Sequence, residues 1–308
     1  MRQRRPLAGW RGALLGQAAK AVGTVVGAAA LLLVLLELAP GSPADLVPDP
    51  SVGAVLEARW GLDRPIWERL LGWWRRALVG DFGTSFAVRP GAQVLEVLWP
   101  ALRQTAGLLL LAAPLAASLA QLRRPRTALL LTSALPVFLL GHVVVEGLNA
   151  LTWSAMQAGW VTRPTWFALP IVDHPVRTGL AALVLAFGSN LVGRLSTDLA
   201  AARHTRSTSE FAAVAQVHGT RGPSWRHALL DALPALLAQV PVLLGGTIVV
   251  ERVFLIQGAG HVLWEAALAR DFELAMAIAL AAATVVAAAS FAAELSRWFL
   301  DPRVRELP

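Results

Sequence analysis

The chain contains no cysteine, so it forms no disulfide and offers no thiolate for catalysis or metal binding. Charge is scarce as well: 15% of its residues are Asp, Glu, Lys or Arg, where a soluble domain carries roughly 25%. No Gly-x-x-x-x-Gly-Lys-Ser/Thr stretch is present, which excludes nucleotide hydrolysis on a phosphate loop. The 6 histidines include no His-x-x-x-His pair, so no metal site is expected. No Ser-His-Asp or paired-carboxylate arrangement can be defended from spacing. A protein without a catalytic site or cofactor is expected.

What the chain has in quantity is apolar sequence. It is 56% hydrophobic over 308 residues, with a mean hydropathy of +0.57. The charges cluster and leave six long uncharged gaps: Ala21–Leu36, Thr105–Leu122, Thr127–Val145, Thr178–Gly193, Ala232–Val250 and Leu274–Ala293. A membrane-crossing helix needs about 17–25 residues, and the two shortest gaps have apolar flanks that extend them. The expected fold class is therefore all-α, a polytopic membrane protein with six transmembrane helices. Basic residues precede the first gap as in a signal peptide, but no small-x-small cleavage site follows, so an uncleaved helix is expected. Pro114 and Pro136, inside the second and third gaps, and Pro241 in the fifth are expected to kink their helices.

Orientation follows from the positive residues. With the N-terminus inside, the cytoplasmic segments hold 16 Lys and Arg against 6 Asp and Glu, and the external ones 11 against 14. Both termini are thus expected in the cytoplasm. The pI of 11.4 reflects topology, not nucleic-acid binding, because the arginines are scattered and no nucleic-acid motif accompanies them. The chain divides into residues 1–104, with a tail, the first span and an external amphipathic region, and residues 105–308, with the remaining spans and a cytoplasmic loop at about 198–231.

The external region contains "GLDRPIWERLLGWWRRALVGDFGTS". Pro65 suits a first helical turn and Gly80 the position past a helix end. Between them Ile66, Trp67, Leu70, Leu71, Trp74, Ala77 and Leu78 share one face, with Glu68, Arg69, Arg75 and Arg76 largely opposite. Such a helix is expected along the outer membrane surface, with Trp67, Trp73 and Trp74 at the interface.

"RSTSEFAAVAQVHG", residues 206–219, is a polar island between apolar segments. Ser207 and Glu210 have capping-box spacing, and Gly219 can close the helix. Phe211, Val214, Ala215 and His218 follow i, i+3, i+4, i+7 and form one apolar stripe. A helix this short is marginal alone, so the stripe needs a partner: the membrane surface, the protein's own spans, or a cytoplasmic protein.

"EFAAVAQVHG" resembles the cytoplasmic loop of bacterial ABC-importer permeases, with Glu210, Ala212, Ala213 and Gly219 in the pattern and Leu233-Pro234 further on. The dipeptide, oligopeptide and nickel class is the one resembled. "GLDRPIWERLLGWW", "GDFGTS", "SALPVFLLG", "ERVFLIQGAG" and the tail "DPRVR" are similar to that class's motifs, in the same order. The resemblance implies the permease fold and the bacterial inner membrane. It also implies import of peptides or similar small solutes. Its partners would be a second permease subunit, two cytoplasmic ATP-binding subunits, an extracytoplasmic substrate-binding protein and membrane lipid. It makes Glu210, Phe211, Ala212, Ala213, Val214, Ala215, Gly219, Leu233 and Pro234 the ATPase-coupling loop. Three departures stand out: Phe211 offsets the alanines, Gly222-Pro223 interrupts the following segment, and Gly219 lies closer to the Leu-Pro.

Glu146 and Glu251, at the expected outer ends of the third and fifth spans, and Asn190, in the fourth, are the candidates for the pathway or outer mouth. Glu251 is expected to stay ionised beside Arg252. An ion-coupled secondary transporter and a non-transporting membrane scaffold are the alternatives. By the gap boundaries the spans are expected to lack the buried acidic or basic residues that ion coupling would need.

Overall fold

The computed structural model describes residues 8–38, 55, 61, 64–121, 135–160, 175–207 and 233–300. Among them the regular structure is helical, with a single isolated antiparallel bridge between Thr84 and Gln93. The helices are α1 (Ala8–Leu38), α2 (Ile66–Ala77), α3 (Val94–Ala120), α4 (Val137–Gln157), α5 (Pro175–Gly188), α6 (Leu191–Ser207), α7 (Val240–Val253), α8 (Ala259–Leu268) and α9 (Phe272–Leu300). Helices dominate because a chain in hydrocarbon must satisfy every backbone polar group within itself.

Four of the described helices contain stretches long and apolar enough to cross a membrane: Leu15–Leu32 in α1, Val94–Ala120, Val137–Gln157 and Phe272–Ser296 in α9. The pair α5 and α6 makes a fifth crossing if its 60° bend lies within one span.

The register of these helices differs from the uncharged gaps at the third, fourth and fifth gaps. The helix at the third gap begins after Pro136 and runs to Gln157, so Pro136 precedes the helix instead of kinking it. Residues 122–134 lie outside the described residues. The fourth gap is broken at Ser189–Asn190, and α6 continues through Ser207. Residues 208–219, where Ser207 was expected to cap a further helix, lie outside the described residues. Pro241 stands at the first turn of α7, after a turn at Ala238–Gln239 that separates it from a short helix at 233–237. Pro lacks an amide hydrogen and fits the beginning of a helix better than its middle.

Two compact units are present. The first comprises residues 1–100 and 262–291, the second residues 101–261 and 292–308. In the first, α1 packs against α2. Trp73 is fully buried there, edge-on to Trp74 at 5.5 Å and to Phe82 at 6.2 Å. That burial corrects the interfacial position expected for Trp73.

In the second unit α4, α5 and α7 pack on one another. Leu108, Ala112, Ala116, Ala181, Leu185, Leu195, Leu243 and Phe254 form much of its core. Helix approach depends on small residues, as in membranes generally, where hydrocarbon solvates leucine as well as protein does. A Cβ on Gly188 would stand 2.6 Å from the Val137 Cα, and one on Gly246 would stand 2.8 Å from Leu185.

Candidate functional site

Glu251 lies near the end of α7 and is fully buried. Thr105 of α3 donates its hydroxyl to one carboxylate oxygen at 2.6 Å, and the His261 amide donates to the other at 3.0 Å. The Ala259 amide in turn donates to the Thr105 hydroxyl at 2.8 Å. These amides belong to the first turn of α8, whose leading N–H groups have no partner inside the helix. A side chain eight residues upstream thus caps α8, with Thr105 as relay. The sequence suggests an ionised Glu251 near the outer mouth beside Arg252; in the fold Arg252 is exposed, but Glu251 turns inward.

The geometry also explains the glycines of "ERVFLIQGAG". A Cβ on Gly258 would stand 2.2 Å from the Glu251 carboxyl carbon, and one on Gly260 2.6 Å from the Ile248 Cα. The motif encodes one close contact between a carboxylate and a backbone.

The first unit contains a second polar cluster, which nothing in the spacing of the sequence indicated. Asp271 precedes α9 and receives the Ser85 hydroxyl at 2.5 Å. The same oxygen takes the amides of Phe86, Ala87 and Val88 at 2.9, 3.1 and 3.2 Å. Its other oxygen lies 3.4 Å from the Leu274 amide, an N-cap contact. Two residues on, Glu273 pairs with Arg76 of α2 at 2.5 Å and accepts the Thr84 amide at 2.7 Å. Gly83 has a φ of 78° and no room for a side chain, because the Glu273 carboxylate occupies that space. The "GDFGTS" motif is therefore a strap held to the start of α9 by two carboxylates. Beside it opens a cleft of 920 Å³, lined by Arg64, Glu68, Arg69, Arg76, Asp81 and Glu273 among others.

Asn190 stands at the α5–α6 break with a φ of 59°, and its buried Oδ1 has no hydrogen-bond partner. Glu146 is not at a helix end; it lies near the middle of α4 and is exposed. Leu233 is exposed and Pro234 buried at the start of the short helix before α7. Glu210, Phe211, Ala212, Ala213, Val214, Ala215 and Gly219 lie outside the described residues. Asp271, Glu273, Ser85 and Thr105 were missed in the sequence. Only "GDFGTS" hinted at the strap, and it did not indicate where the strap docks.

A model of a family described as binding-protein-dependent transport system inner membrane component matches residues 113–306. An oligopeptide transport system permease protein of Bacillus subtilis is 27% identical, covering 91% of this chain and 95% of the relative. A putative peptide permease protein of Brucella suis biovar 1 is 26% identical over 92% and 96%. A glutathione transport system permease protein of Salmonella typhimurium is 26% identical over 83% and 86%.

Proposed function

Since this chain belongs to the family of binding-protein-dependent transport system inner membrane components, we propose that it is the permease through which an ATP-driven importer moves short peptides. Membership places it in the bacterial inner membrane as a multi-pass permease of an ABC importer, a system that includes ATP-binding and substrate-binding partners. Short peptides are its cargo. The observation that carries this reading is near-full-length similarity to relatives named as peptide, oligopeptide and glutathione permeases.

The finer composition is one further permease subunit, two ATP-binding subunits and one extracytoplasmic binding protein. Six spans with both termini inside fit the distribution of Lys and Arg. The segment around Phe211 would enter a groove on an ATP-binding subunit as a short apolar stripe.

Uptake of a labelled peptide into liposomes containing the permease and its co-purifying subunits tests the reading. Uptake should require ATP and the binding protein. Phe211→Asp should leave the permease in the membrane and release the ATP-binding subunit. Burying a Phe is worth about 1.5–3 kcal/mol, roughly 10- to 150-fold in affinity. Retention of the ATP-binding subunit at unsubstituted levels, with transport intact, would show that this stripe meets something else.

A further inference from the structure

Helix α4 carries polar side chains on the side turned away from its packing partners. His142, Glu146 and Asn149 follow one another at i, i+4, i+7 and form one stripe, which exposed Trp153 continues. His142 and Glu146 are exposed and Asn149 is half-buried. None of the three side chains makes a hydrogen bond or ion pair among the described residues. An adjoining side of α4 holds buried Gly141, where a Cβ would meet Val253, Val184 and Phe254 within 4 Å.

Val137–Gln157 has the length and apolarity of a membrane crossing, and Glu146 lies near its centre. A carboxylate facing acyl chains at that depth is costly. Ionisable groups inside spans accordingly face protein or a water-filled cavity, and mark substrate pathways. Val143, which borders the stripe, and Leu151, on the far side of the helix, are exposed and apolar and suit lipid or a neighbouring helix.

We propose that His142, Glu146 and Asn149 line the aqueous translocation pathway, where the Glu146 carboxylate accepts hydrogen bonds from the ammonium end of the passing peptide. This rests on the peptide-importer reading above. An ionised carboxylate and an ammonium group make a short, charge-assisted hydrogen bond. His142 and Asn149, a turn away on either side, hold water along the same line. A single carboxylate in a wet channel binds cargo weakly enough to release it.

Absence of native cysteine makes the test clean. His142→Cys, Asn149→Cys and Leu151→Cys would each be made in the complete importer in liposomes and exposed to a charged, membrane-impermeant thiosulfonate. Positions 142 and 149 should react several-fold faster than position 151, and trialanine with ATP should slow them. Separately, Glu146→Gln should lower trialanine uptake by roughly tenfold, the worth of one hydrogen bond to a charged group. Glu146→Asp should restore most of it, and uptake of N-acetylated trialanine should change little.

Equal reactivity at all three positions would overturn the proposal. So would cross-linking of 142 and 149 to a second permease subunit without reaction from water. Equal losses for both peptides in Glu146→Gln would remove the ammonium role. If the unsubstituted importer carries neither peptide while 142 and 149 still react, the peptide reading fails and the ammonium assignment falls with it, while the water-lined stripe stands.

Discussion

Glu251 fills the space that a side chain on Gly258 would need. The carboxylate is fixed there by the Thr105 hydroxyl and the His261 amide, so it cannot swing aside for a methyl group. The same three-part contact joins Thr105, Glu251 and residues 259–261, all within the second unit.

Gly258→Ala should therefore destabilise the permease by about 1–3 kcal/mol, the usual cost of overpacking. Gly107→Ala is the control, because a Cβ there meets nothing within 4 Å. In a helix interior it should instead gain roughly 0.5–1 kcal/mol. Thermal unfolding of the two variants in detergent should move in opposite directions.

Glu251→Ala and Glu251→Gln separate capping from space-filling. Alanine leaves the His261 amide and the Thr105 hydroxyl buried without their acceptor, at about 1–3 kcal/mol for each orphaned group. Glutamine keeps one carbonyl oxygen and most of the volume, so it should cost less than half as much. Hydrogen exchange at the His261 amide should rise strongly with alanine and weakly with glutamine. Equal exchange in both variants would mean that the charge, not the acceptor, holds α8.

The strap at 84–88 depends on Asp271, which takes three consecutive amides and a hydroxyl. Asp271→Ala should expose those amides together. Hydrogen bonds to a charged group are worth about 1.5–3 kcal/mol, so exchange at Phe86, Ala87 and Val88 should quicken by at least roughly tenfold. Exchange in α5, in the other unit, should hardly change. Unaltered protection at 86–88 would show that the loop is rigid without its carboxylate.

Helix α2 reverses the arrangement of a soluble protein. Arg69 and Arg76 point inward, over Phe272 at 5.0 Å and onto Glu273 at 2.5 Å, while Trp67, Leu71 and Leu78 are exposed. Phe272 and Glu273 begin the crossing of α9, so these contacts tie α2 to the level of the membrane edge. A spin label on Leu78→Cys should collide more with dissolved oxygen than with a water-soluble nickel chelate. A label on Glu68→Cys, on the adjoining charged arc, should do the reverse. Identical behaviour at the two positions would place the whole helix in water or under a protein partner.

Much of this protein was fixed by its sequence alone. Uncharged stretches of spanning length dictated a helical membrane protein, because hydrocarbon leaves a chain few other ways to satisfy its backbone. Pro65 and Gly80 placed the ends of α2, since one presets a helical φ and the other accepts a φ of 84°. Order and identity of motifs pointed to the permease family. What the sequence could not supply was partnership across distance. Charge gaps record where ions are missing and leave the helix register open, so Glu146 moved from an expected helix end to the middle of α4. Helical periodicity shows that arginines share a face, but a membrane surface allows that face to turn either way, and only the packing of Phe272 and Glu273 turned it inward. Asp271 and Ser85, 186 positions apart, carry no local signal of each other. Their hydrogen bond exists because folding brings a strap of free amides to a carboxylate at a helix start, a complementarity of geometry that no short window of sequence contains.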